Sequence, residues 1–435
     1  MKRSIDSVLL AWKEDALRKP LLLRGARQVG KTYAVRELGK TFERFVEINF
    51  EFDTEIAFIF GKNLDPHRII QEISLLKKTQ IIPGKTLLFF DEIQVTPAAV
   101  LALRYFYEML PELHIIAAGS LLDFALEHVG LPVGRVSSFY MYPLSFSEFL
   151  QATDNELLMA EIYKNSFDFS DTIHKRLLEL VGEYCAIGGM PEAVRLWATT
   201  RDALGCFLIH QSLITTYRND FEKYATKLQI KYVNILFDSI PRQLSNKFVY
   251  SNISQDYRAR DLAPALDLLV TAGVVHKVYK TAGNGIPLGA EMDLKDFKII
   301  FMDIALAQSI LGVDLAAWII NPLAEFVNKG SLLEAFIGQE LLAYLSPLKK
   351  QQLFYWRKEE SSSTAELDYL IARGTQVIPI EVKAGKGTAL KSMHVFLEKH
   401  QQSPYGIRFS SNTYSCFEKI YSYPLYAVDT ALKFL

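Results

Sequence analysis

The sequence predicts an α/β protein: a parallel sheet first, then a helical stretch, then the element order of a winged helix, and last a mixed α/β domain. Three observations carry this. Apolar runs alternate with longer amphipathic stretches between Pro20 and Phe149. The segment from Lys231 to Tyr279 reads helix, helix, helix, strand. The last third reads helix, three strands, helix, strand. Strands that alternate with helices imply a parallel sheet covered on both faces.

The elements follow in order. Leu21–Leu23 is a short buried strand, and Phe45–Phe50 is a second, broken by Glu47 and Asn49. Thr86–Phe90 and Ile115–Ala118 are two more. From Asn155 to about Thr216 the chain reads as helix, punctuated by Gly188-Gly189-Met190-Pro191. Helices are expected at Lys231–Leu244, near Ile253 and at Arg258–Ala272, with a strand at Val274–Tyr279. A helix at Leu332–Leu345 precedes strands at Leu353–Arg357, Glu366–Ile371 and Val377–Lys383; a helix at Leu390–Gln401 and a strand at Gly406–Phe409 follow. The expected division is 1–150, 151–222 (a helical lid or linker), 223–300 and 301–435.

Composition bounds what the protein does. In 435 residues, hydrophobic side chains make up 50% and charged ones 22%, a normal globular balance. The formal net charge is −1, so a nucleic-acid contact would need a local basic patch. Cys185, Cys206 and Cys416 are far apart and form no metal-ligand pair, so buried reduced thiols are expected. The charged N-terminal residues offer no apolar signal core, and Asp303 and Asp314 interrupt the most apolar stretch, Ile299 to Phe326. A cytoplasmic protein with no membrane partner is expected.

Gly25-Ala26-Arg27-Gln28-Val29-Gly30-Lys31-Thr32 fits G-x-x-x-x-G-K-[ST] between a strand and a helix. Glycines let successive N–H groups face phosphates, and the helix N-terminus adds its dipole. The expected nucleotide contacts are Gly25, Arg27, Gln28, Val29, Gly30, Lys31, Thr32 and Tyr33, with Lys31 on the β- and γ-phosphates and Thr32 on Mg²⁺. Leu87-Leu88-Phe89-Phe90-Asp91-Glu92 ends a buried strand in two acids, where ligands of open sheets bind. Asp91 is expected in the Mg²⁺ shell and Glu92 as general base, so ATP and Mg²⁺ are the expected ligands and ATP hydrolysis the expected reaction. Ser120, after Gly119, stands where a polar side chain would sense the γ-phosphate. Arg135 reads either as an arginine finger or as the partner of an acid.

The P-loop, the apolar-Asp-Glu strand, Gly119-Ser120, Gly134-Arg135-Val136, Pro143-Leu144-Ser145-Phe146-Ser147-Glu148-Phe149 and Gly188-Gly189-Met190-Pro191-Glu192 occur in that order. Nearly the whole chain thereby resembles prokaryotic AAA-type ATPases with a C-terminal domain of unknown function, DUF4143. The resemblance implies an AAA-type parallel sheet with a helical lid, then a winged helix and a restriction-endonuclease-like α/β domain. One departure is Leu121, where the family often has a second polar residue.

Glu366-Leu367-Asp368-Tyr369-Leu370-Ile371 alternates with period two, and Glu381 and Lys383 point to one side of the next strand. Asp368 beside Glu381-Val382-Lys383 is similar to PD-(D/E)XK nucleases. There two carboxylates bind a metal and the lysine orients water, with Glu334 as a further carboxylate. Asp368 and Glu381 are thus the expected metal ligands, and Asp368, Glu381 and Lys383 the expected catalytic set. Around the winged helix Lys and Arg outnumber Asp and Glu. Arg258 and Arg260 open the helix in the recognition position, with Lys247 and Tyr250 as phosphate contacts. Two readings stay open: an ATPase coupled to DNA binding, with or without metal-dependent cleavage, and a nucleotide-driven switch whose C-terminal half binds protein or DNA without cutting. In either, P-loop domains of this kind imply ATP-dependent self-association.

Overall fold

The computed structural model describes residues 1–119, 122, 130, 134–164, 167, 169–224, 227–254, 256–313, 316–358, 365–383 and 390–433. They form two compact units, Met1–Tyr142 with Ser346–Lys350, and Pro143–Leu345 with Gln351–Leu435.

The first unit is built on β1 (Leu21–Arg24), β2 (Arg44–Asn49), β3 (Thr86–Asp91), β4 (His114–Ala118) and β5 (Ser137–Tyr140). All pairs are parallel, in the order β2-β3-β4-β1-β5. Central β3 and β4 are buried along their whole length, as a sheet covered on both faces demands. Helix α1 (Ser4–Glu14) precedes β1, and α2 (Lys31–Gly39), α3 (Thr54–Lys62), α4 (Pro66–Leu76) and α5 (Pro97–Met109) connect strands. Proline at the first position starts α4, where the Asp65 side chain accepts from His67 N at 3.1 Å. Ile69 and Ile73, one turn apart on α4, join Ile48, Phe90 and Phe106 in one core.

The second unit starts with helices Phe146–Ala152, Glu156–Tyr163, Asp171–Ile187, Pro191–Thr200 and Ala203–Tyr224. Gly188 ends the third of these with φ +74°. Gly189 passes so close to the backbone that a Cβ would lie 2.2 Å from the Leu144 carbonyl oxygen. Its N–H donates to Asp303 Oδ2 at 2.6 Å. The Gly-Gly pair therefore locks three distant backbone segments together.

Helices Lys227–Ser239 and Ala259–Thr271 lead to β6 (Val275–Thr281) and β7 (Met292–Phe301). These strands pair antiparallel and continue into an eight-stranded mixed sheet, order β12-β13-β11-β10-β9-β8-β6-β7. The remaining members are β8 (Leu353–Arg357), β9 (Glu366–Arg373), β10 (Gln376–Lys383), β11 (Gly406–Ser410), β12 (Ser415–Phe417) and β13 (Ile420–Pro424). Segments 223–300 and 301–435 thus share one sheet. The helix Gly330–Tyr344 packs against both β7 and β10. Cys185 and Cys206 are buried free thiols, whereas Cys416 is exposed on the short edge strand β12. Among the described residues no helix is long and apolar enough to cross a membrane.

Candidate nucleotide site and C-terminal carboxylate cluster

β1 delivers the chain to a loop that only particular residues can follow. Gly25 has φ +142°, and a Cβ there would lie 2.1 Å from the Met141 carbonyl oxygen. Gln28 and Gly30 also adopt positive φ, 62° and 100°, and the residue after Gly30 opens α2. Lys31 is folded back into this loop: its Nζ donates to the carbonyls of Gly25 and Ala26, each at 2.8 Å. Arg3, from the start of α1, supports the loop from outside. It donates to the carbonyls of Val29 at 2.9 Å and Tyr142 at 2.8 Å.

Thr32 Oγ1 donates to Asp91 Oδ2 at 3.1 Å, so the hydroxyl and carboxylate expected on Mg²⁺ are already neighbours. Burial, and next the Glu92 charge, push the Asp91 carboxyl up to about 6. Two hard oxygen donors at a helix N-terminus fit a small divalent cation bound beside phosphates. Glu92 has φ +51°, a conformation that costs a non-glycine residue about 1 kcal/mol or more and clusters at functional sites. Its Oε2 accepts from Gln94 Nε2 at 2.6 Å. Gly119 leaves room for that glutamine, since a Cβ would stand 1.9 Å from Gln94 Oε1. Ser120 and Leu121 lie outside the described residues. Arg135 donates to Glu108 Oε1 at 2.9 Å, an oxygen that also accepts from Arg104 at 3.1 Å.

In the second unit, β9 and β10 pair antiparallel with Tyr369 opposite Ile380, which sets the next residues, Asp368 and Glu381, side by side. Asp368 Oδ2 accepts from Val382 N at 2.6 Å. Glu381 is 3% exposed, and its Oε1 pairs with Lys383 at 2.5 Å. Asp368 faces a residue not foreseen from the sequence. Lys298, on β7 and 2% exposed, places its Nζ 2.9 Å from Glu334, 2.6 Å from Glu366 and 3.9 Å from Asp368. Burial pushes the Glu334 and Asp368 carboxyls up, and Lys298 pulls them back. Burial alone would lower Lys298, yet Glu334, Asp368 and Glu366 together raise it. A lysine in the run Phe297-Lys298-Ile299-Ile300-Phe301 was the readable signal, because an unpaired charge there would cost several kcal/mol. Among the described residues no group of three or more His, Cys, Asp or Glu side chains is arranged to hold a metal ion. As they stand, these carboxylates suit an ammonium and do not fit a divalent ion.

Arg258 and Arg260 are exposed at the start of the helix Ala259–Thr271, and Lys247 is tied to Asp296 at 2.7 Å.

Residues 17–150 match the AAA domain, residues 178–316 a domain of unknown function, DUF8612, and residues 329–427 another, DUF4143. With the P-loop site at the strand ends of a parallel sheet, the first match defines an AAA-type ATPase. The chain is an AAA-type ATPase with a C-terminal DUF4143 domain. No curated protein matches it. Among solved structures it is similar to a Walker-type ATPase of Pyrococcus abyssi, at 17% identity over 71% of this chain and 95% of that one, TM-score 0.44. It is also similar to the ORC1 protein of Aeropyrum pernix in complex with DNA, at 12% identity over 73% and 94%, TM-score 0.29. A third is a signal-transduction ATPase with numerous domains from Pyrococcus horikoshii, at 12% identity over 76% and 47%, TM-score 0.30.

Proposed function

We propose that the protein is an ATP-driven switch, in which the nucleotide state of the first unit sets the affinity of the second for DNA, without cutting it. In the first unit Lys31 leaves the Gly25 and Ala26 carbonyls to meet the β- and γ-phosphates. Gly25, Arg27, Gln28, Val29, Gly30 and Tyr33 line the phosphates and nucleoside. Thr32 and Asp91 would hold Mg²⁺, which would supply neutralisation of the phosphate charge. Glu92 takes the proton of the attacking water, and Gln94 fixes the orientation of its carboxylate. Ser120 senses the γ-phosphate. Residues 1–150 are the motor and 151–222 its lid. Segment 223–300 presents Arg258 and Arg260 to DNA, and 301–435 carries the carboxylate cluster.

The observation that carries the non-cutting reading is Lys298, whose ammonium is paired among Glu334, Glu366 and Asp368. The second reading, metal-dependent cleavage through Asp368, Glu381 and Lys383, is favoured by the side-by-side placement of Asp368 and Glu381. One experiment separates them. Labelled duplex and single-stranded DNA are titrated with protein in ADP or in a non-hydrolysable ATP analogue, then run on denaturing gels after incubation with Mg²⁺ or Mn²⁺. A nucleotide-dependent affinity with intact DNA is expected. Cleavage by the wild type that Asp368→Ala abolishes would establish the nuclease, and equal affinity in both nucleotides would end the switch.

A further inference from the structure

We infer that Lys298 is the resident cation of the C-terminal carboxylate cluster, and that a divalent metal ion enters this cluster only by displacing it. The inference rests on the reading of Asp368 and Glu381 as a nuclease-like pair. It adds what governs whether that pair takes a metal.

The argument begins with where Lys298 sits. β7 is buried from Asp296 to Phe301, so the strand offers a charged side chain no water. Lys298 is therefore held by its partners. The ammonium has three N–H groups. Glu334 at 2.9 Å and Glu366 at 2.6 Å accept two, and Asp368 stands in ionic range at 3.9 Å. The Tyr355 ring lies 5.0 Å from Nζ and supplies a π face. That ring is itself fixed, because its hydroxyl donates to Asp296.

A divalent ion wants oxygen ligands at about 2.0–2.6 Å. An ion shared by Asp368 and Glu334 would have to stand beside the place the ammonium now fills. An ammonium and a divalent ion on neighbouring oxygens repel each other strongly in a poorly hydrated site, so the resident lysine opposes the ion. The lysine and the metal compete for the Asp368 and Glu334 carboxylates.

A second feature points to the incoming ion. Glu381 lies beside Asp368, and Lys383 takes only its Oε1. Its Oε2 is buried and has no hydrogen-bond partner among the described residues. An unpartnered carboxylate oxygen in a buried site is costly. Lys298 does not satisfy it, whereas a metal ion bridging Asp368 and Glu381 would.

The test measures Mn²⁺ binding to the full chain without nucleotide, by the electron paramagnetic resonance signal of free Mn²⁺. All variants carry Asp91→Asn, so that the P-loop carboxylate does not contribute. Lys298→Gln should bind Mn²⁺ at least about tenfold more tightly than the chain that keeps Lys298. Adding Asp368→Asn should remove the gain. Equal Mn²⁺ affinity with Lys298 and with Gln overturns the inference. If the Lys298 protein already binds tightly and loses the ion with Asp368→Asn, the lysine does not compete, but the nuclease-like reading of the pair stands. A gain that survives Asp368→Asn places the ion elsewhere and removes both. Should Lys298→Gln melt early, millimolar Mn²⁺ should restore its transition by replacing the missing charge. A variant that Mn²⁺ leaves unfolded overturns the inference as well.

Discussion

Thr32 Oγ1 and Asp91 Oδ2 are 3.1 Å apart, and this one hydrogen bond ties the first turn of α2 to the carboxyl end of β3. The two halves of the candidate nucleotide site are thus assembled around each other, with Lys31 parked on its own loop.

Lys31→Ala should abolish ATP hydrolysis and weaken ATP binding strongly, because the ammonium at the start of α2 is the charge expected on the β- and γ-phosphates. Glu92→Gln should still bind ATP while kcat falls about 10²-fold or more, the usual worth of a general base. Isothermal titration with ATP and a steady-state phosphate-release assay read the two effects separately. Wild-type turnover by Glu92→Gln would show that Glu92 is not the base.

Arg135 shares Glu108 Oε1 with Arg104. An arginine finger supplied in trans is worth about 10³-fold or more in kcat. If Arg135 plays that part, ATP analogue should drive self-association seen by light scattering, and Arg135→Ala should lower kcat on that scale while the chain still binds ATP. A chain that stays monomeric and hydrolyses ATP at an undiminished rate at every concentration sinks this role.

The parts of the molecule legible in the sequence are those fixed by neighbours along the chain. The P-loop, β1, β3 and the Asp91-Glu92 pair are local signals, and β8, β9 and β10 lie within a residue or two of their expected limits. β5 is not announced by its sequence, because Ser137-Ser138-Phe139-Tyr140 has neither an apolar run nor a clean alternation; it is a strand because β1 pairs with it. β7, β12 and β13 likewise depend on partners supplied by the rest of the sheet. Lys298 illustrates the same limit at the site. Its partners Glu334, Glu366 and Asp368 are distant in sequence, and no spacing rule connects them. Ser145 and Glu148 show the reverse. They form a buried reciprocal cap on the helix Phe146–Ala152, which S-x-x-E spacing announces.

DNA binding, if the second unit does it, should be dominated by phosphate contacts. Arg258→Ala with Arg260→Ala should weaken binding at all sequences and reduce the slope of log K against log salt by about 2. Fluorescence anisotropy across a salt series measures both. An unchanged slope and affinity would move the contact surface away from the helix Ala259–Thr271, or point to a protein partner.

Glu340 should give the protein a pH dependence that is separable from catalysis. Both its carboxylate oxygens accept from Phe146 N at 3.0 Å, at the start of the helix that Ser145 and Glu148 cap. Burial pushes its carboxyl up to about 8, against which the Phe146 N–H and the Tyr344 and Tyr184 hydroxyls pull down. The folded value lies above the unfolded one, so between them the folded chain holds a proton that the unfolded chain has lost. The stabilisation is complete below about pH 4.5 and is lost as pH rises to about 8. A shift of that size is worth on the order of a few kcal/mol. Glu340→Gln keeps an oxygen acceptor for Phe146 N and has no proton to lose. The melting temperature of the wild type should therefore fall, relative to Glu340→Gln, as pH is raised through this window. Parallel curves for the two proteins would mean that Glu340 carries the same charge folded and unfolded, and that the Phe146 N–H with its tyrosine neighbours outweighs burial.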